Sequence, residues 1–294
     1  MTQQYEQGIR VGGSALPDGV MMLTPMACAI AREQPDGSFA VESFPLPERT
    51  PMRLEKVPFI RILPKLIGQM ALVVRGWKPA RRKVPWPVLI VAVIIGGLST
   101  VLNFGLGSLP STWHVFGSSF LQLALFFVLI GVTRAIPKLG RIWRFHGGEH
   151  QAIAAYEAGL DLTIENTRSR TLYHPRCGTN LAILAMVFMV PGMVFGSVMP
   201  GVVGYLITLL IPLPAMCVAF EIVMLGQKSA LRALLWPGLA FQRLTVAMPG
   251  PAESKAGIVA LQGALAEHAR VAAERAAAVV TAPVRASVPA AAAD

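Results

Sequence analysis

Histidines carry most of the chemistry that this sequence offers. The chain has five, and three of them, His146, His150 and His174, fall within 29 residues. Around the first two the chain reads His146-Gly147-Gly148-Glu149-His150, and helix-forming residue types follow the glycines. Four residues apart on a helix, two imidazoles lie about 40° apart around the axis and about 6 Å along it, so both can address one ion. Glu149 stands on the adjoining edge, near enough to activate a water or to orient a ligand. This His-x-x-Glu-His order is the inverted form of the zinc-protease helix motif, in which the histidines bind Zn²⁺ and the glutamate acts as general base. The same short pattern also arises on a polar helix face in water.

A further ligand must come from elsewhere. His174 is the first candidate and Cys177 the next, in His174-Pro175-Arg176-Cys177-Gly178-Thr179. A soft thiolate beside imidazoles suits zinc, while Cys177 reads equally well as a small buried residue. Arg176 is placed to stabilise negative charge that develops on a substrate. The predicted metal set is therefore His146, His150, His174 and Cys177, with Glu149 and Arg176 as catalytic groups. Glu157 shares the helix face but lies about 10 Å beyond His150, which fits a supporting role. Glu165 and Asn166, in a short strand or turn, could support the site as well.

The elements that must hold these residues follow from composition. Hydrophobic residues make up 54% of the 294 and charged ones only 14%, yet 26 Lys and Arg stand against 16 Asp and Glu, a net charge of +10. A nucleic-acid binder reaches such a bias by being rich in charge throughout, so nucleic acid is excluded as a partner. Four runs, 86–107, 115–133, 179–199 and 201–224, approach the roughly 20 apolar residues that a bilayer requires. The last two meet at Met199-Pro200-Gly201, a tight turn between antiparallel spans. Twelve Lys and Arg precede the first run, seven lie between the second and third, and seven follow the fourth, which is the whole complement. The positive-inside rule then places both termini and the His-rich loop in the cytoplasm of a multi-pass inner-membrane protein. No cleavable signal is expected, because no apolar segment follows a basic start. Cys28, Cys177 and Cys217 form no paired-thiol motif, and no structural disulfide is expected.

The expected fold class is mainly α, a polytopic four-helix transmembrane bundle with a small β-rich cytoplasmic N-terminal segment. Residues 1–56 form that β-rich segment, with a hairpin around Gln34-Pro35-Asp36-Gly37. The glycines of 12–19 read either as backbone that approaches something closely or as an inert loop. Residues 57–85 hold an amphipathic interfacial helix and a basic linker, or a helix packed on the bundle. Transmembrane helices 1 and 2 occupy 86–137, the motif loop 138–178, helices 3 and 4 179–225, cytoplasmic C-terminal helices 226–280 and a disordered tail 281–294. Glu221 is the one carboxylate inside an apolar run. Such groups usually face a bundle interior or a cavity, and this one could reach the loop site, snorkel, or pair with Lys228 or Arg232.

Taken together, His146-Gly147-Gly148-Glu149-His150, Tyr156-Glu157-x-Gly159, Glu165-Asn166 and the run from His174 to Thr179 resemble the YqhQ-like family. Gly12-Gly13 followed by Gly19-Val20-Met21-Met22 is similar to that family's N-terminal signature. Pro237-Gly238-Leu239 with Gln242-Arg243-Leu244-Thr245 also resembles it. The likeness runs from about residue 9 to 265 and implies a membrane protein of unknown function described as a predicted metal-dependent enzyme. The chain departs from the family at Ser14 and Asp18, where Gln and Glu are common. It departs again at Gln151, where a basic residue usually follows the second histidine, and near Ala256, where an acid is expected. Two functions follow as expectations. One is a zinc-dependent hydrolase, with a peptidase as its possible form, at the cytoplasmic interface. The other is a non-catalytic membrane factor that binds a partner protein, a lipid or the translocation machinery. Metal or ion transport is a weaker third, since Asn103 and Glu221 are nearly the only polar groups in the runs.

Overall fold

A computed structural model describes residues 8–48, 53–66, 68, 93–94, 97–98, 101 and 111–281. The N-terminal part is a sheet of β1 (Gly12–Leu16), β2 (Gly19–Leu23), β3 (Ala27–Glu33) and β4 (Phe39–Pro45), antiparallel throughout and in chain order. Each turn has a local cause. The hydroxyl of Thr24 accepts the Ala27 N–H at 2.9 Å between β2 and β3. Between β3 and β4, Gly37 takes the left-handed backbone (φ 80°) and Asp36 accepts the Ser38 N–H at 2.9 Å, as Pro-Asp-Gly predicts.

From residue 111 the described chain is helical. It forms α1 (Ser111–Ala135), α2 (Pro137–Glu157), α3 (Ile164–Arg168), α4 (Gly178–Val198), α5 (Gly201–Leu210), α6 (Pro212–Leu225), α7 (Trp236–Thr245) and α8 (Pro251–Thr281). One face of the sheet gives Val20, Met22, Ala29 and Ala31 to a core completed by Phe145 and Ile153 of α2 and by Ala260, Leu261 and Ala264 of α8. The alanines let α8 lie close: a Cβ at its Gly263 would sit 2.9 Å from Val41 and 3.2 Å from the Ala29 side chain. The sheet, α2 and α8 thus make one packed body.

This is not the four-helix transmembrane bundle that composition suggests. Among the described residues, two helical stretches are long and apolar enough to cross a membrane, Gly178–Gly196 and Gly201–Leu225. Run 86–107 lies almost wholly outside the described residues. Run 115–133 lies within α1, interrupted by Gly117-Ser118-Ser119 and Gln122, and α1 packs on α2 and α7 as well as on α4. Hydropathy registers apolar surface without saying what covers it, and in α1 Leu125 and Ile130 are buried against protein.

The apolar hairpin turns at Met199-Pro200 with Gly201 in the left-handed region (φ 59°). Its second arm is divided, since α5 ends at Leu210 and Ile211-Pro212 begins α6. On α4, Cβ atoms at Gly192 and Gly196 would lie 2.2 Å from Ile211 and 2.5 Å from Thr208, so small residues four apart set the helix–helix distance. Val202, Tyr205, Leu206 and Leu209 point outward and exposed.

The buried Glu221 of α6 faces neither the histidines nor Lys228 and Arg232. It accepts from Arg61 at 2.8 and 2.6 Å and from the Phe59 N–H at 3.0 Å. The N-terminal linker is thereby pinned to the hairpin. Of the amphipathic helix and basic linker expected over 57–85, residues 62–66 are helical, and most of the rest lies outside the described residues.

Candidate metal centre

Helix α2 carries the histidine motif. It opens on Pro137, which fits a first helical turn, and instead of starting after the glycines it runs straight through Gly147 and Gly148. Two adjacent glycines weaken a helix by roughly 1 kcal/mol each, and packing accounts for them here. A Cβ at Gly147 would lie 2.1 Å from the Ala247 carbonyl oxygen, and one at Gly148 would lie 2.4 Å from that of Glu253. The motif glycines therefore let the side of α2 that faces away from the histidines press against α8 and the link before it, while the histidine side faces the cavity. Beyond Glu157 the helix closes with Gly159 at φ 69° and the Leu160 N–H donating to Ala155.

His146 Nδ1 lies 2.8 Å from the carbonyl oxygen of Thr245, and His150 Nδ1 lies 2.5 Å from that of Leu172. A carbonyl can only accept, so each ring carries its proton on Nδ1 and presents the Nε2 lone pair as an acceptor or ligand. Metal-binding histidines are usually fixed in this way. Cys177, the N-cap of α4, puts its Sγ 3.3 Å from His146 Nε2. One potential ligand atom from each of His146, His150 and Cys177 lies within 4.8 Å of the other two.

His174, placed by the sequence reading among the ligands, stands beside this cluster. Its ring centroid is 5.8 Å from that of His150, and both ring nitrogens are engaged: Nε2 lies 3.2 Å from Glu157 and Nδ1 accepts the Arg176 N–H at 3.3 Å. Arg176 pairs with the other oxygen of Glu157. Glu157 thus bridges His174 and Arg176. Glu165 and Asn166 lie in the short helix α3, where Asn166 donates to Asp161 and not toward the cluster.

Glu149 is buried beneath β1. A Cβ at Gly13 would meet its Cγ and Oε1 at 2.9 Å, the Ala15 N–H is directed at it, and its Oε2 has no hydrogen-bond partner among the described residues. Burial pushes its carboxyl up to about 8, against the pull of His146. Burial also lowers His150 to about 3 and His174 to about 4, and raises the Cys177 thiol. Glu157, 3.2 Å away, would favour a charged His174, but it is shared with Arg176 and half-exposed, so burial prevails. Burial thus favours the neutral forms of His150, His174 and Cys177 beside the orphaned oxygen of Glu149. The cluster, Glu149 and residues 11–15 line one cavity of about 360 Å³.

Two buried amides hold the return loop. Gln242 of α7 accepts the His174 N–H and donates to the His174 carbonyl, both at 2.9 Å, and also donates to Asn180 at 3.1 Å. Asn180 donates to the Pro175 carbonyl at 2.7 Å, and a Cβ on Gly238 would strike its Oδ1 at 2.3 Å. The sequence reading gave no role to either amide. The signal for Gln242 is a long polar side chain beside Gly238 and Phe241 on the buried face of a short helix. Gln151 is likewise buried, donating to the Arg170 carbonyl at 3.0 Å.

The profile of a family described as "Protein of unknown function (DUF1385)" matches residues 86–267. The chain is also 25% identical, over 281 residues, to "Uncharacterized protein YqhQ" of Bacillus subtilis (strain 168), covering 81% of this chain and 86% of that protein. No solved structure matches the chain.

Proposed function

We propose that this chain, which belongs to the DUF1385 family of proteins of unknown function, is a membrane-associated metal-dependent hydrolase. The observation that carries the reading is the convergence of His146, His150 and Cys177 within 4.8 Å, beside the orphaned oxygen of Glu149. Two imidazoles and one thiol fit Zn²⁺ with an open fourth position, the pattern of catalytic sites. The His146–Cys177 separation of 3.3 Å already matches the spacing expected between two ligands of a tetrahedral ion, roughly 3.3–3.8 Å. When bound, Zn²⁺ would supply Lewis acidity and lower the pKa of water to about 7.

The chain's own residues do the rest. Glu149 takes the proton from the attacking water and returns it to the leaving group, and the Ala15 N–H orients its carboxylate. Arg176, held by Glu157 at the cavity wall, stabilises the negative charge that grows on the substrate oxygen. A thiol–imidazole dyad of Cys177 and His146 is disfavoured, because burial raises the thiol rather than activating it.

In this reading the hairpin 178–225 enters the inner membrane, with lipids as its surroundings. All 26 Lys and Arg lie outside those residues, so the positive-inside rule puts both termini and the cluster in the cytoplasm. The test is metal analysis of protein purified in detergent. Wild type carries about one zinc, a His146→Ala, His150→Ala double variant carries none, and Glu149→Gln keeps the metal but loses function. Equal metal in wild type and double variant would sink the proposal.

A second reading, a non-catalytic membrane factor that binds a partner protein, draws on the Gln242, Asn180 and Glu157 hydrogen bonds, which suit a structural knot. Full complementation of a deletion phenotype by Glu149→Gln would favour it.

A further inference from the structure

We propose that the free edge of β1 is the substrate platform, and that the substrate is an extended polypeptide that adds to it as a further strand. The inference rests on the hydrolase reading above and names its substrate class.

Among the described residues β1 is an edge strand, bonded only to β2. The two-residue turn Pro17-Asp18 is closed by the pair Leu16↔Gly19, and pairs alternate between hydrogen-bonded and non-hydrogen-bonded along an antiparallel ladder. Leu16, Ser14 and Gly12 therefore spend their backbone groups on β2, while Ala15 and Gly13 turn theirs outward. The Ala15 N–H agrees with this direction, because it is directed at Glu149. Residues 11–15 form one wall of the cavity that holds His146, Glu149 and Cys177. An unpaired strand edge is a template for another chain.

The edge is also terminated. At Ala15 the outward N–H is already taken by Glu149, so an added strand can exchange hydrogen bonds at Gly13 but not two residues further on. Its next peptide carbonyl, about 7 Å along, falls against Glu149 and the metal ligands. There the water oxygen bonds to the carbonyl carbon, the C–N bond breaks, and Glu149 moves the water proton to the departing amine. Gly13 has no side chain between the incoming strand and Glu149, and a Cβ there would collide with that carboxylate.

The experiment uses full-length protein in detergent, loaded with zinc, and an equimolar library of unstructured decapeptides from a digested bacterial proteome. Wild type is expected to cleave a subset, and the cleaved sequences are resynthesised with single backbone N-methyl groups. Their binding to zinc-loaded Glu149→Gln is then read by fluorescence anisotropy, independently of turnover. N-methylation of the amide facing the Gly13 carbonyl should weaken binding about tenfold, the cost of one lost hydrogen bond with its partner left unpaired. Methylation one residue to either side should change it less than about threefold. Zinc binding with no peptide cleaved or bound overturns this inference and leaves the hydrolase standing. Cleavage without alternation overturns edge pairing alone, and absence of zinc overturns the parent reading and this one with it.

Discussion

The histidines of this protein are set by what their Nδ1 protons touch. His146 and His150 each donate to a backbone carbonyl of a distant segment, Thr245 and Leu172, so their tautomers are fixed before any ion arrives. His174 is fixed differently, between Glu157 and the Arg176 N–H, and is kept neutral by burial. Its folded pKa, about 4, lies below the unfolded value of about 6.5. The unfolded chain therefore takes up the proton first, and stability present above pH 6.5 is lost as pH falls toward 4. With metal removed by chelator, wild type should lose thermal stability over that window by more than a His174→Gln variant does. The difference is expected to be on the order of 3 kcal/mol, and parallel curves would refute the assignment. The four-residue spacing of the histidines was legible in the sequence because a helix has one period. The ranking of His174 against Cys177 was not, since it depends on Glu157 and Gln242, which meet the loop only after folding.

At the scale of elements, α2 makes the site by being thin on one side. Gly147 and Gly148 admit the Ala247 and Glu253 carbonyls to within the space of a methyl group, and Gly257 of α8 returns the same closeness toward Gly148. Gly148→Ala should destabilise the protein by about 1–3 kcal/mol through overpacking, read as a melting temperature lowered by several degrees. An unchanged melting temperature would show that α2 and α8 are not tightly seated. The motif glycines read in the sequence as a break before a helix, because glycine is a poor helix former, and tertiary closeness overrode that. The hairpin at Asp36-Gly37 and the turn at Met199-Pro200-Gly201 were legible because turn chemistry is local. That β1 would roof the cluster was not, because 133 residues separate Gly13 from His146.

For the whole molecule, one packed body of sheet, α2 and α8 sits at the open end of an apolar hairpin, and Cys177 belongs to both as a member of the His146–His150 cluster and as N-cap of α4. A second joint is Glu221 with Arg61. Arg61→Ala strands a buried carboxylate and should cost about 1–3 kcal/mol. Adding Glu221→Gln should recover part of that loss, which a double-mutant cycle on melting temperatures would read. Additive losses would mean that the pair does not join linker to hairpin. The hydropathy runs overstated the membrane content because they cannot tell lipid from a neighbouring helix, and α1 packs on helices of both parts. The central claim, that His146, His150 and Cys177 hold one ion, is tested most directly by titrating the metal-depleted protein with Co²⁺ and following its absorption. Saturation at one equivalent is expected, with the intense bands of a four-coordinate ion and a thiolate charge-transfer band that disappears in Cys177→Ser. No saturable binding, or the same spectrum in Cys177→Ser and in the His146→Ala, His150→Ala variant, would contradict it.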